Sequence, residues 1–471
     1  MTALSHASVS ELIIQLETGA VSAFELVRSA LERVEATQAT LNTFTAIRDP
    51  EATLADARRA DERRARGEAR PLEGIPFGVK DLEDVAGMVT SYGSVPFRDN
   101  VAERDSPQVE RLRAAGAILV GKTNTPEFGY TALTKNVLFG TTRNPWDLER
   151  TPGGSSGGSS AAIAGGVIPL ATASDGGGSI RIPASCTGLF GLKVSFGRVP
   201  KQAATHWDID QTAVLGPLTR TVEDAARQLD LTCGPHPLDP FSLPAPGTSY
   251  RETLHDLPDA LRIAWSPDLG YAAVQSDVGE AAEAAARTFE RLGHSLTEIT
   301  GGPPEPGRDW GLLGAFSQLS KLHPKLPEQE EEFGRTFIRG VKAGTAFTHE
   351  RCGHYREQRE SLNRWCAGLF DQFDLLLTPT LPYDPPPAGG PLLDTVEGRA
   401  QPPSNIGCFT MPFNLSLHPA ASVRAGLSKV GLPIGLQIVG PRHRDDLVLQ
   451  AAYAFERERP WHPNWPALPS R

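Results

Sequence analysis

Apolar and polar positions divide the chain into a helical beginning and a longer region of short apolar runs. In the first 65 residues apolar side chains recur at helical spacing, as at Val27, Ala30, Leu31 and Val34. Ser8 and Ser22 each stand three residues before a glutamate, the spacing of a capping box. This pattern predicts N-terminal helices, followed by a charged, solvent-exposed helix over residues 51–70.

From residue 71 to about residue 229 the pattern changes to short apolar runs separated by glycine-rich turns. Residues 117–120 and 167–172 have the length and composition of buried strands, and a helix is predicted over 106–115. Farther along, the pattern predicts strands at 261–265, 374–379 and 432–439, with helices at 277–292, 328–342, 348–370 and 446–456. The alternation of strands and helices favours an α/β architecture.

The composition is that of an ordinary globular protein. The 471 residues are 39% hydrophobic and 22% charged, so a large core can form. A net charge of −10 argues against nucleic acid as the main partner. The N-terminus lacks a signal-peptide pattern, and no apolar run is long enough to span a membrane. We therefore expect a cytoplasmic protein with no membrane partner.

The five cysteines indicate neither a disulfide framework nor a metal site. They are widely scattered, without a C-x-x-C pair. A zinc site or a disulfide scaffold is therefore not expected, and the sequence predicts no bound metal and no cofactor.

Two motifs match known patterns but fail the test of their context. Residues 116–123 fit the phosphate-loop pattern G-x-x-x-x-G-K-[ST], yet the four variable positions are apolar and favour a strand instead of a loop. Residues 153–157 fit G-x-S-x-G, the nucleophile elbow, which must directly follow a buried strand. The residues before them are polar and end in Pro152, so this interpretation is weak.

A second glycine-rich segment, residues 175–179, is better placed for chemistry. It directly follows the strand predicted at 167–172. Its three consecutive glycines let backbone N–H groups converge without interference from Cβ atoms, as an oxyanion site requires. Ser179 stands where those donors would point, so it is the candidate nucleophile.

A serine nucleophile needs a proton acceptor, and the sequence offers more than one. Lys80 is flanked by apolar residues at 75–79, and burial would favour its neutral form. His206 and His418 are distant in sequence but remain alternatives. The residues alone do not connect Lys80 to either serine segment.

Taken together, the segments resemble the amidase signature family of serine hydrolases. The resemblance is carried by residues 74–81 (GIPFGVKD), 153–159 (GGSSGGS), 175–183 (DGGGSIRIP) and 188–193 (GLFGLK). It extends over nearly the whole chain and implies a single domain, 1–471, built on a large twisted mixed β-sheet with helices on both faces. In that domain we expect N-terminal helices over 1–65, the catalytic core over 71–229 and a variable substrate-pocket region over 301–401.

The resemblance also assigns roles to individual residues. It implies a Ser–cis-Ser–Lys triad in which Ser179 is the nucleophile, Ser155 the bridging serine after a cis peptide from Gly154, and Lys80 the neutral base. The oxyanion donors are expected to be the backbone N–H groups of Gly176, Gly177, Gly178 and Ser179. Residues expected to support the site are Ser156, Asp175 and Arg181. The pocket is expected to be lined by residues 202–212 with Trp207, and by helices between Trp310 and Trp365.

The function implied is hydrolysis of amide bonds in small molecules through an acyl-enzyme. Apolar or aryl amides are expected as substrates, with carbamates and esters as further possibilities, by a monomer or homodimer. One alternative is the glutamine-hydrolysing subunit of a tRNA-dependent amidotransferase. Against it stands Gly176, where such subunits usually carry a larger residue. A nucleotide-dependent enzyme and a catalytically silent binding protein are weaker alternatives.

Overall fold

A mixed β-sheet of eleven strands runs through the computed structural model, which describes residues 6–202, 212–461 and 465–466. In chain order the strands are β1 (Phe44–Ile47), β2 (Pro76–Lys80), β3 (Ile118–Thr123), β4 (Lys135–Asn136), β5 (Gly140–Thr141), β6 (Leu170–Asp175), β7 (Phe190–Lys193), β8 (Val214–Thr219), β9 (Arg262–Trp265), β10 (Ser295–Glu298), β11 (Leu375–Pro379), β12 (Thr395–Val396), β13 (Arg399–Ala400), β14 (Ala420–Leu427) and β15 (Pro433–Val439).

The strand order in the large sheet is β1-β3-β2-β6-β8-β7-β14-β15-β11-β9-β10. Neighbours are parallel in β3-β2-β6 and in β11-β9-β10, and antiparallel elsewhere. Two small antiparallel ladders, β4-β5 and β12-β13, lie outside it.

Helices precede, connect and follow the strands. They are α1 (Val9–Glu17), α2 (Ala23–Leu41), α3 (Pro50–Ala65), α4 (Pro107–Ala114), α5 (Gly157–Ala164), α6 (Arg181–Thr187), α7 (Val222–Thr232), α8 (Ser276–Ala286), α9 (Thr288–Arg291), α10 (Gly307–Leu322), α11 (Leu326–Gln329), α12 (Arg335–Lys342), α13 (His349–Gln372), α14 (Met411–Leu415) and α15 (Asp445–Glu458). In the described part of the chain, none of them has the length and apolar character needed to cross a membrane.

Helices cover the sheet on both faces, so a central strand such as β11 has apolar side chains on both of its sides. Leu375 and Leu377 point into the core formed with α7, α8 and α15. Leu376, whose side chain points the other way, packs with Leu369 of α13 and with Phe409. The predicted α/β class with a mixed sheet covered on both faces is confirmed.

Most elements predicted from the hydrophobic pattern are present. The capping boxes begin α1 and α2, where Ser8 and Ser22 accept a hydrogen bond from the backbone of the glutamate three residues on. The charged helix ends at Ala65 instead of residue 70. Residues 116–123, which fit the phosphate-loop pattern, contain strand β3 instead of a loop, as their four apolar residues predicted.

The helix predicted over residues 328–342 is wrong as a single element. Phe333 is extended, at φ −73° and ψ 152°, between a 3₁₀ turn (Glu330–Glu332) and the start of α12. The interruption has a tertiary cause, since the N–H of Gly334 donates to Glu127 Oε2 at 3.0 Å. The strand predicted at 167–172 also lies three residues later, at Leu170–Asp175.

The sheet brings two distant segments together. Strands β2 and β6 are parallel neighbours, with Phe77 opposite Leu170 and Gly78 opposite Ala171. Parallel neighbours have their carboxyl ends at one edge of the sheet. Lys80 at the end of β2 therefore lies beside the glycine-rich loop that follows Asp175.

Candidate active site

Lys80 lies at the centre of a group of serine side chains. Its side chain is fully buried, as are the Phe77 and Val79 side chains that flank it on β2. The Nζ atom lies 2.8 Å from Ser155 Oγ, 2.8 Å from Ser156 Oγ and 2.9 Å from Ser174 Oγ. A buried lysine with three hydroxyl partners is held in one position.

Burial changes the acidity of this lysine. Loss of solvent lowers the pKa of Lys80 to about 7, although the negative charges of Glu83 and Asp175 act in the opposite direction. Because its pKa is near neutrality, the amine can accept a proton at ordinary pH, which an exposed lysine cannot do.

Ser155 and Ser156 connect the lysine to the glycine-rich loop. The peptide between Gly154 and Ser155 is cis, as the resemblance implied. The Ser156 N–H donates to the Ser179 carbonyl at 3.3 Å, and its hydroxyl donates to the Ser174 carbonyl at 3.3 Å. Helix α5 begins at the next residue, so both serines are fixed at its first turn.

Asp175 and Arg181 hold the loop between β6 and α6. Asp175 accepts hydrogen bonds from the Gly178 N–H at 2.7 Å and from the Ile180 N–H at 3.2 Å. Its carboxylate pairs with the buried guanidinium of Arg181 at 3.0 Å. Although burial alone would raise the pKa of Asp175, the charge of Arg181 holds it at about 2.

The hydrogen bonds of the loop separate its four backbone donors into two kinds. The Gly178 N–H is occupied by Asp175. No described residue accepts a hydrogen bond from the N–H groups of Gly176, Gly177 or Ser179. Three backbone donors beside Ser179, without an acceptor in the described part of the chain, form a site suited to a negatively charged oxygen.

A cavity of about 420 Å³ opens over this loop. Polar groups at its floor include Ser155, Ser174 and Ser179. Its walls are largely apolar and include Leu82, Phe128, Tyr130, Ile182, Val214, Leu215, Trp310, Leu392, Ile406 and Met411. The charged residues Glu83, Asp84 and Lys201 also line it. A cavity of this size and lining suits a small, mostly apolar molecule.

Trp310 of α10 is a wall residue that lies directly against Gly177 of the loop. A Cβ atom added to Gly177 would lie 2.5 Å from the Trp310 ring, so a side chain at residue 177 has no room. Trp310 belongs to the 301–401 region, and the assignment of that whole region to the substrate pocket stays a prediction. Trp207, the other expected pocket residue, and His206 lie outside the described residues.

Sequence reasoning gave Ser174 no role, although its hydroxyl contacts Lys80. The available signal was its place one residue before Asp175, at the end of a strand. His418, an alternative base, is buried away from the cavity, where its Nδ1 lies 2.9 Å from Ser416 Oγ. Burial lowers the pKa of His418 to about 3. No cluster of metal-binding side chains occurs in the described ranges.

Known proteins are similar to this chain over almost its full length. A family model described as Amidase matches residues 25–449. An acylamidase of Rhodococcus erythropolis is 37% identical over 98% of this chain and 97% of its own. A glutamyl-tRNA(Gln) amidotransferase subunit of Cupriavidus necator is 34% identical over 97% of each chain. A solved bacterial aryl acylamidase of the amidase signature family has a TM-score of 0.90 at 30% identity, covering 98% of this chain and 97% of its own.

Proposed function

This chain belongs to the amidase signature family and is an amide hydrolase, and we propose that it cleaves apolar or aryl amides through Ser179, Ser155 and Lys80. The observation that carries the proposal is the 2.8 Å contact between Lys80 Nζ and Ser155 Oγ, at the floor of the cavity that also contains Ser179. The likeness to an acylamidase and an aryl acylamidase supports it.

In the proposed reaction Ser179 attacks the amide carbonyl. Its proton passes to Ser155 Oγ, while the proton of Ser155 passes to Lys80 Nζ. The same route, reversed, protonates the departing amine, and water then cleaves the acyl-enzyme. A lysine with a pKa near 7 is suited to both directions, because neither protonation state is strongly favoured.

The developing oxyanion is proposed to bind the free N–H groups of Gly176, Gly177 and Ser179. The sequence expectation also included Gly178, whose N–H is already bonded to Asp175. We therefore propose that Gly178 shapes the loop, with Asp175 and Arg181 supporting it. Fixed donors of this kind stabilise the transition state without reorganising during the reaction.

The apolar cavity supports amides with an apolar or aromatic acyl or amine group, and we extend the proposal to aryl carbamates and esters. The likeness to the amidotransferase of Cupriavidus necator supports a second candidate, hydrolysis of glutamine. The wall is mostly apolar, with Glu83, Asp84 and Lys201 as its charged members, so its area suits an apolar group better than the charged amino acid end of glutamine.

Hydrolysis of a small panel distinguishes the two candidates. The panel contains a nitroanilide, a nitrophenyl ester, an aryl carbamate and glutamine. We expect kcat/KM for the nitroanilide to exceed that for glutamine by at least about 100-fold, the scale of a few kcal/mol of differential binding. Turnover of glutamine alone would overturn the proposal and favour the amidotransferase function.

We expect Gly177→Ala to lower kcat/KM by about 10- to 100-fold. The added methyl meets the Trp310 ring at 2.5 Å and must displace it or the loop that carries the oxyanion donors. Gly176→Ala is the matched control, since among the described residues its methyl would meet only the Ala213 side chain, at 3.7 Å, an ordinary contact.

The kcat/KM of both variants is measured by steady-state kinetics with the nitroanilide as substrate. Trp310→Phe in the Gly177→Ala background should restore part of the lost activity, because the smaller ring vacates the contact. Equal losses in the Gly176 and Gly177 variants would contradict the assigned contact.

A further inference from the structure

Gln318 of α10 has a buried polar side chain that lines the active-site cavity. The residue is 1% exposed, and the same cavity contains Ser155 and Ser179. Its Oε1 atom accepts no hydrogen bond from any described residue. A buried amide oxygen without a donor is unfavourable, because it has lost its hydration and gained no partner in return. The mechanism proposed above gives this side chain no role.

The place of Gln318 distinguishes it from other glutamines whose amides are unpaired. Gln108 and Gln228 are 0% and 1% exposed, and their side-chain oxygen and nitrogen atoms have no partner among the described residues. Neither of them lines the active-site cavity. At Gln318, by contrast, a molecule bound in the cavity can supply the missing donor.

Helix α10 presents one face to this cavity. Trp310, Gly314 and Gln318 all line it, and residues four apart lie on the same side of a helix. The Trp310 ring lies against Gly177, where the scissile carbonyl is proposed to bind. Gln318 follows Trp310 by eight residues, which is about 12 Å along a helix axis. Its amide is therefore placed beside a part of the substrate other than the bond that is cleaved.

The position of α10 is set by contacts with other elements. Near its start, the Asp309 carboxylate accepts a hydrogen bond from Arg351 Nη1 of α13 at 2.8 Å. Near its middle, Gly344 packs so closely that an added Cβ atom would collide with the backbone nitrogen of Phe316. The helix that carries Gln318 is thus held in place before substrate binds, as a polar group that selects a ligand requires.

The surroundings of Gln318 are apolar. The next residue, Leu319, packs in a cluster with Phe128 and Tyr130, which also line the cavity. A hydrogen-bond acceptor in such a place discriminates strongly between substrates. A donor of the substrate pairs with it, whereas an apolar group at the same position leaves the buried oxygen unpaired.

We propose that Gln318 is a specificity-determining residue, whose side-chain oxygen accepts a hydrogen bond from an N–H or O–H group of the substrate outside the scissile bond. The inference rests on the proposed function and deepens it. The substrate is then an amide that is apolar over most of its surface and carries a hydrogen-bond donor on a part that does not react. Gln318 takes no part in the transfer of protons between Ser179, Ser155 and Lys80.

The test uses pairs of substrates that differ only by a hydroxyl group in place of a methyl group. On the acyl side the pairs are ω-hydroxyacyl and alkanoyl nitroanilides of increasing chain length. On the amine side they are para-hydroxymethyl and para-ethyl anilides of one acid. The measured quantity is the ratio of kcat/KM for the hydroxyl member to that for the methyl member. Gln318→Met keeps the length of the side chain and removes its amide, so we expect this ratio to fall by about 10- to 100-fold in at least one pair.

Gln228→Met is the matched control, because Gln228 is equally buried and unpaired but lies outside the cavity. We expect its ratios to equal those of the wild type. Each ratio compares two substrates of the same protein sample, so it does not depend on the fraction of the variant that is folded. Gln318→Leu, which also lacks the amide, replaces Gln318→Met if that variant does not fold.

The outcomes separate this inference from the function on which it rests. A wild-type protein that hydrolyses no member of either series overturns the proposed function. Hydrolysis with the same ratios in wild type and in the Gln318 variant, for every pair, overturns the role of Gln318 and leaves the proposed function standing. A fall of the ratio in Gln228→Met as large as that in Gln318→Met also overturns it, because the effect would then not depend on the cavity.

Discussion

The Ser179→Ala protein is expected to lose hydrolysis of amides, carbamates and esters alike, with kcat lower by about 10⁴-fold or more. Ser179 lines the cavity beside Gly176 and Gly177, whose N–H groups have no acceptor among the described residues. The alanine cannot form an acyl-enzyme, so the loss does not depend on the leaving group.

The binding of substrate should survive this substitution, because the cavity walls are unchanged. Trp310 lies in that wall, so quenching of tryptophan emission by a nitroanilide provides a binding measurement independent of turnover. Ser185→Ala on α6 is the matched control, since Ser185 is buried nearby but does not line the cavity. Retained turnover in Ser179→Ala would remove Ser179 as nucleophile.

The Lys80→Ala protein is expected to lose about 10³-fold or more in amide hydrolysis, and far less in hydrolysis of a nitrophenyl ester. Both reactions lose the acceptor for the Ser179 proton. Only the amide also needs that proton returned, because an amine leaves after protonation whereas a nitrophenolate leaves unaided. The ratio of the two losses is therefore the informative quantity.

The pH dependence gives a second measurement of the same residue. With a Lys80 pKa of about 7, the wild-type rate is full above that pH and falls below it, since the protonated lysine cannot act as base. This fall should vanish in Lys80→Ala. Lys122→Met is the control, a lysine equally buried on the adjacent strand β3, whose loss should lower stability without changing the amide-to-ester ratio. Equal losses on amide and ester in Lys80→Ala would contradict the proton route.

Several elements were predictable because their signals are local. The capping boxes at Ser8 and Ser22 and the apolar run that became β3 are read within a few residues. The helix expected over 328–342 failed for the opposite reason, since a side chain far away, Glu127, binds the backbone at Gly334 and stops it.

The candidate site likewise has residues that the sequence indicated and residues that only the structure revealed. The sequence presented Lys80, Ser155 and the glycine loop ending in Ser179 as separate segments, and a family resemblance was needed to join them. The partner Ser174 received no role from the sequence, because its place at the end of a strand does not show which side chain it contacts.

The sequence by itself determined the class of fold, the helical beginning and the types of side chain available for chemistry, because periodicity and turn residues act over one or two turns of chain. Tertiary structure alone decided that Lys80 and Ser155, 75 residues apart, lie 2.8 Å from each other. It also decided that Trp310 covers Gly177 and that the Ser174 hydroxyl contacts the lysine. These distances, and the pKa that burial gives to Lys80, depend on how the parallel strands β2 and β6 pack, which no local pattern specifies.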